Sequence, residues 1–107
     1  MSAPTGVLDE LAPRFSVHLV TTPHMEPELS IGDLVQIDTT VTKIDGDAVY
    51  LIAFPGHGEP ALRRIAQEPG GRCAVTCDSA PEAVHRCARA DLMVIGRAVQ
   101  AMRGRPL

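Results

Sequence analysis

With 107 residues and 11.4 kDa, the chain is long enough to bury one core without disulfides or metal, and too short for two domains. A composition 45% hydrophobic and 21% charged excludes a disordered chain, and a net charge of −3 without a long basic run excludes a nucleic-acid footprint on this chain. Cys73, Cys77 and Cys87 lack Cys-x-x-Cys spacing, the N-terminus lacks a signal-peptide pattern, and no apolar stretch reaches the roughly 18 residues of a membrane span; a reducing cytoplasm is expected.

Residues 1–14 read as a linker remnant, with one helix-compatible piece at Val7–Ala12 that Pro13 closes; residues 15–107 read as the domain. Ser16–Thr21 is rich in β-branched residues and reads as a strand. Pro27 to Gly32 reads as a turn, or as a single helical turn over Glu26–Ile31. Asp33–Asp38 alternates as a half-buried strand, and Asp45-Gly46 is a hairpin signal. Asp47–Phe54 is a nearly continuous apolar run, the pattern of a strand buried on both faces.

Pro55–Pro60 is a loop by its glycine and proline content. Ala61–Ala66 reads as a strand, with a short helix open on propensity, and Arg72–Asp78 as another, with Cys73, Val75 and Cys77 on one face. Ser79–Ala90 contains Pro81 and an Ala-rich piece compatible with helix or loop. Leu92–Met102 is a long last strand whose internal Gly96 predicts a bulge or bend. The sum is a mostly β domain with little helix, a partly closed barrel or folded-over sheet of short strands.

Residues 22–38 carry the most specific signal. Met25-Glu26-Pro27, Leu29, Gly32-Asp33-Leu34-Val35 and Ile37-Asp38 follow the pattern Asp-Ser-Met-Glu-Pro-Thr-Leu, a short gap, Gly-Asp-Leu-Val and an apolar-Asp ending. Four further blocks stand in matching order. They are Lys43–Tyr50, Ala61–Ile65, Gly71–Ser79 and Met93–Val99. Together the blocks resemble the C-terminal domain of the LexA and phage lambda repressor family, serine–lysine self-cleaving peptidases, over about residues 16–103.

The resemblance implies a LexA-like β-fold and a degenerate active site. His24 stands at the serine position and Arg63 at the lysine position, beside the former-cleft residues Met25, Glu26 and Pro27. A lysine base must lose its proton to take one from serine, and desolvation can depress its pKa enough. The guanidinium of Arg63 stays protonated in proteins, so it cannot serve. The Ala-Gly or Cys-Gly bond that family members cleave is also missing from the 23 residues before His24. The expectation is a catalytically inactive relative.

Other chemistry is weakly signalled. His18, His57 and His85 have no ligand spacing, so neither metal nor cofactor is expected. Cys73 and Cys77 read as small core residues, and Cys87 as a free exposed thiol. Of Arg63 and Arg64, one is expected to pair with Glu26 or Glu59 and the other to be solvated.

The resemblance implies a non-enzymatic dimerisation module of a phage-repressor-like transcription regulator, pairing with itself as a homodimer or higher oligomer. DNA would be reached through a separate helix-turn-helix domain outside these 107 residues, and release would need another route, such as an antirepressor protein. An unpaired edge at residues 92–102, with Leu92, Val94, Ile95, Arg97, Val99 and Met102, is the candidate pairing surface. Two rivals are a self-cleaving peptidase using Thr21, Thr22 or Ser30, and a free-standing regulator that binds a partner or an acidic ligand between His24 and Arg63.

Overall fold

A computed structural model describes residues 14–54, 56 and 58–103. The linker reading before Arg14, the helical piece at Val7–Ala12, His57 and the tail beyond Arg103 lie outside the described residues. Strands make up 56% of what is described and 3-10 turns 7%, so the chain is mostly β.

The strands are β1 (Phe15–Leu19), β2 (Leu34–Asp38), β3 (Ala48–Ala53), β4 (Ala61–Glu68), β5 (Arg72–Cys77), β6 (Ala80–Ala88) and β7 (Met93–Met102), with 3-10 turns at Pro23–Met25 and Arg89–Asp91. They form one antiparallel sheet in the order β1-β2-β7-β3-β4-β5-β6. The sheet is open, with β1 and β6 at its edges, rather than closed into a barrel. It nevertheless curls: β1 and β4 are first and fifth in the order, yet His18 and Arg63 line one cleft.

Three expectations are corrected. Asp45-Gly46 is a turn, with Gly46 at φ +82°, but it closes no hairpin, because β7 lies between β2 and β3. Residues 80–88 are the edge strand β6 rather than helix or loop. Pro81 is tolerated there because an edge strand has backbone groups that need no sheet partner. Finally, β7 is an interior strand: Met93–Arg97 pairs with β3 and Arg97–Met102 with β2, so the expected unpaired edge at residues 92–102 is not found.

The bend expected at Gly96 is present. The register slips by one residue on each side of β7, leaving Ile95 extra against β3 and Val99 extra against β2. Such slips bend a strand, and they let β7 serve two neighbours that diverge.

Alternation along β3 gives the molecule two cores. Leu51 faces a cluster with Val20, Met25, Leu29, Val35, Ile37 and Leu62. Tyr50 and Ile52 face the opposite way, into a cluster with Ile44, Ile65, Cys73 and Val75. Burying each large aliphatic side chain contributes roughly 1.5–3 kcal/mol, so a run apolar at every position suits a strand with a core on either side.

Asp38 ends β2 in a buried site. The Thr40 hydroxyl donates to its Oδ1 at 2.6 Å and the Thr40 amide at 3.0 Å, while Arg14 lies 3.5 Å from Oδ2. These partners, the Thr40 hydroxyl first, hold the carboxyl below its usual pKa. The carbonyl of Arg14 accepts from the Thr39 amide at 2.7 Å and hydroxyl at 2.9 Å, which ties the start of β1 to the end of β2.

Candidate functional site

Pro23 opens the first 3-10 turn, a position where its missing amide costs nothing. Met25 turns inward and is only 2% exposed, packing with Leu29 in the first core. With Met25 inward, His24 is left outward at the lip of a cleft of about 140 Å³. The cleft is lined by β1 and its extension (His18, Val20, Thr21, Thr22), by the turn, and by Glu59–Arg63 of the β4 approach. His24 and Arg63, singled out from the sequence 39 positions apart, therefore share one cleft. Glu26 and Pro27 are exposed and are not among its lining residues, and neither is the half-buried Ser30.

Arg63 is engaged within the protein. Its Nη1 donates to the Leu62 carbonyl at 2.7 Å, and its guanidinium carbon lies 5.7 Å from the centre of the Phe54 ring. Arg64 takes the ion pair instead, forking onto Asp78 at 2.7 and 2.9 Å. These hydrogen bonds push its pKa up, with Glu28 adding to the effect. Neither arginine has Glu26 or Glu59 as an ion-pair partner, contrary to expectation. The cause is the register: Arg64 faces Thr76 on β5, within reach of the Asp78 turn.

Thr22 Oγ1 lies 3.0 Å from Nδ1 of His24, a hydroxyl–imidazole pair at the mouth of the cleft. His18 is deeper. Burial lowers its pKa below the usual 6.5, against an opposing pull from the Glu59 carboxylate. The sequence held a signal for His18: alternation puts it on the same face as Val20, a core residue. Thr22 is named from the sequence as a hydroxyl two residues from His24 and Glu59 as a partner for an arginine, but that Glu59 faces His18 depends on the curl of the sheet.

The wall of the cleft is braced from the second half of the chain. Asp78 and Ser79 make the β5–β6 turn, and the Ser79 amide donates to the His24 carbonyl at 3.1 Å. Lys43, the chain's lysine, lines a separate cavity of about 530 Å³ with Thr42, Ile44, Gly71, Arg89, Ala90 and Leu92. The lysine amine is thus not beside His24.

The pairing candidates divide by exposure. Leu92 and Val94 are half-buried against the second core, and Arg97 is half-buried; Ile95, Val99 and Met102 are exposed. Sequence reasoning missed Met93 and the outer face of β1, where Phe15, Val17 and Leu19 are all exposed. Leu19, Leu34 and Met102 stand in one row across β1, β2 and β7, since directly paired residues share a face.

Among the described residues no group of three His, Cys, Asp or Glu is placed to hold a metal ion, and no helix is long and apolar enough to cross a membrane. No protein-family model matches the chain, and no curated protein matches it.

Proposed function

We propose that this chain is a catalytically degenerate relative of the LexA and phage-repressor C-terminal domain, acting as a non-enzymatic pairing module of a cytoplasmic transcription regulator. The observation that carries the reading is the meeting of His24 and Arg63 in one cleft. The motif resemblance assigns these two positions to nucleophile and base, and a chance resemblance gives no reason for them to converge. Neither residue can do the assigned chemistry as a dyad: Arg63 keeps its proton, and Lys43 lies in another cavity.

Pairing is supported by the outer face of β1, where Phe15, Val17 and Leu19 are exposed, and by the row that continues Leu19 through Leu34 to Met102. The Val17 row runs on into Gln36 and Gln100, which would form a polar rim. Exposed apolar side chains grouped on one strand and rimmed by polar residues mark interaction sites. A second copy of the chain is the proposed occupant, DNA being reached through a separate helix-turn-helix domain. An antirepressor protein is the proposed means of release. Size-exclusion chromatography with light scattering at micromolar concentration tests the reading. A dimer or larger species is expected, and a strict monomer overturns it.

A second reading, a hydroxyl-nucleophile hydrolase, is favoured by the Thr22–His24 contact, which has the reach of a nucleophile and its base. It ranks below the first because both residues are exposed and no hydrogen bond to Nε2 of His24 is seen among the described residues to orient the ring. Incubation at alkaline pH followed by intact mass measurement separates the two. An unchanged mass and no labelling by a fluorophosphonate are expected, whereas a discrete cut or a Thr22 adduct establishes the second.

A further inference from the structure

We infer that Cys73 and Cys87 form a dithiol site that a small-molecule disulfide converts to an intramolecular disulfide, stapling the edge strand β6 to the sheet. The two residues are direct partners in the β5–β6 register, fourteen positions apart, and their sulfurs are 3.8 Å from each other. The register sets the two thiols face to face across the β5–β6 ladder. The Arg89 amide donates to the Gly71 carbonyl at 2.8 Å, which continues the ladder one step past Arg72 and Ala88. Hydrogen-bonded and non-hydrogen-bonded pairs alternate in an antiparallel ladder, so Cys73 and Cys87 form a hydrogen-bonded pair, with α-carbons about 5.5 Å apart. That separation lies inside the roughly 4.4–6.8 Å range of disulfides. The β-carbons of a hydrogen-bonded pair stand toward the wide end of about 4.5–5.5 Å, beyond the roughly 3.5–4.5 Å of a disulfide, so closure draws the edge strand β6 in toward β5.

The two thiols differ in access. Cys73 is fully buried, and burial together with the Cys87 sulfur pushes its pKa up to about 11. Cys87 is half-buried on a strand with a partner on one side only. The order of events follows. The Cys87 thiolate attacks the small-molecule disulfide, forming a mixed disulfide and releasing one equivalent of thiol. Cys73 then gives up its proton and attacks the Cys87 sulfur, releasing the second equivalent. Two protein thiols are oxidised by two electrons and one external disulfide is reduced to two thiols.

Cys77 takes no part, because its register partner is Ala80. The staple closes the open end of the same hairpin whose Asp78–Ser79 turn braces the His24 cleft. The inference does not depend on the function proposed above.

The test treats the whole chain with excess oxidised glutathione at pH 8, alkylates free thiols and maps the peptides by mass. One Cys73–Cys87 disulfide is expected, with Cys77 alkylated and no covalent dimer. Thermal unfolding should shift up by roughly 10 °C, the order set by closing a loop of this length, and revert with dithiothreitol. Cys77→Ser should leave the bridge intact and Cys87→Ser should abolish it. A glutathione adduct persisting on Cys87, a bridge involving Cys77, or a fully alkylated chain after treatment overturns the inference.

Discussion

Gly96 runs so close beneath Asp38 that a β-carbon on it would stand 2.7 Å from the Asp38 carbonyl oxygen, and closer still to the Ile37 side chain. This is where β7 passes from pairing with β3 to pairing with β2, between the two register slips. The oxygen is backbone and Ile37 is fully buried, so neither can move aside freely. Gly96→Ala should therefore destabilise the protein by roughly 2–3 kcal/mol, the scale of overpacking a close-packed site. Urea unfolding measures it, and an unchanged midpoint would show that the crossing is loose.

Tyr50 holds the β2–β3 connection to the second core. Its hydroxyl donates to the carbonyls of Asp45 at 2.8 Å and Gly46 at 2.9 Å, a shared hydrogen bond, and accepts from the Asp45 amide at 3.0 Å. The ring is fully buried, so Tyr50→Phe keeps the packing and removes these bonds. A loss of about 1–2 kcal/mol is expected in the same unfolding experiment, because the orphaned loop groups retain partial access to water. Amide exchange should quicken at Asp45 while β3 stays protected; uniform protection would count against this tether.

His18 makes stability depend on pH in a stated direction. Its folded pKa lies below the usual 6.5, so between the two values the unfolded chain binds more protons than the folded one. The contribution is complete above pH 6.5 and is lost as pH falls through the folded pKa. Glu59 faces His18 and pulls the other way, and His24 and Arg63 are the other charged or titratable groups lining the cleft among the described residues. Comparing urea midpoints at pH 7.5 and pH 5.0 for the parent and His18→Gln isolates the effect. The variant should lose less stability on acidification, and an equal loss would assign the pH response to another group.

The strand class was legible because β-branched runs, alternation and Gly/Pro turns are local signals. The order of the strands was not. Asp45-Gly46 has the same turn chemistry whether the flanking strands pair with each other or pass either side of β7. The edge strand β6 was hidden by its composition: Ala83, Ala88, Glu82 and Arg86 have modest strand propensity, and pairing with β5 overrides it. Likewise Cys87 looked like a loose thiol until its register placed it opposite Cys73. His24 and Arg63 can be named from motif positions and Thr22 lies beside His24 by adjacency, but His18 and Glu59 meet across the cleft only through the curl of the sheet.

The outer face of β1 gives the proposed pairing its sharpest test. Val17 and Leu19 are 61% and 51% exposed, and both lie on the side of the sheet opposite the His18 cleft. A charge at either position remains solvated in the monomer, so folding should be little affected. In a dimer built on this face the same charge would be desolvated without a partner, which is costly. Val17→Glu and Leu19→Glu should each weaken self-association at least about tenfold, equivalent to roughly 1.4 kcal/mol, read by light scattering across a dilution series. Val84→Glu, on the opposite edge strand β6, is the control and should leave association unchanged. If the β1 variants associate like the parent and an Ile95→Glu or Met93→Glu variant does not, the pairing face is the first half of β7 instead.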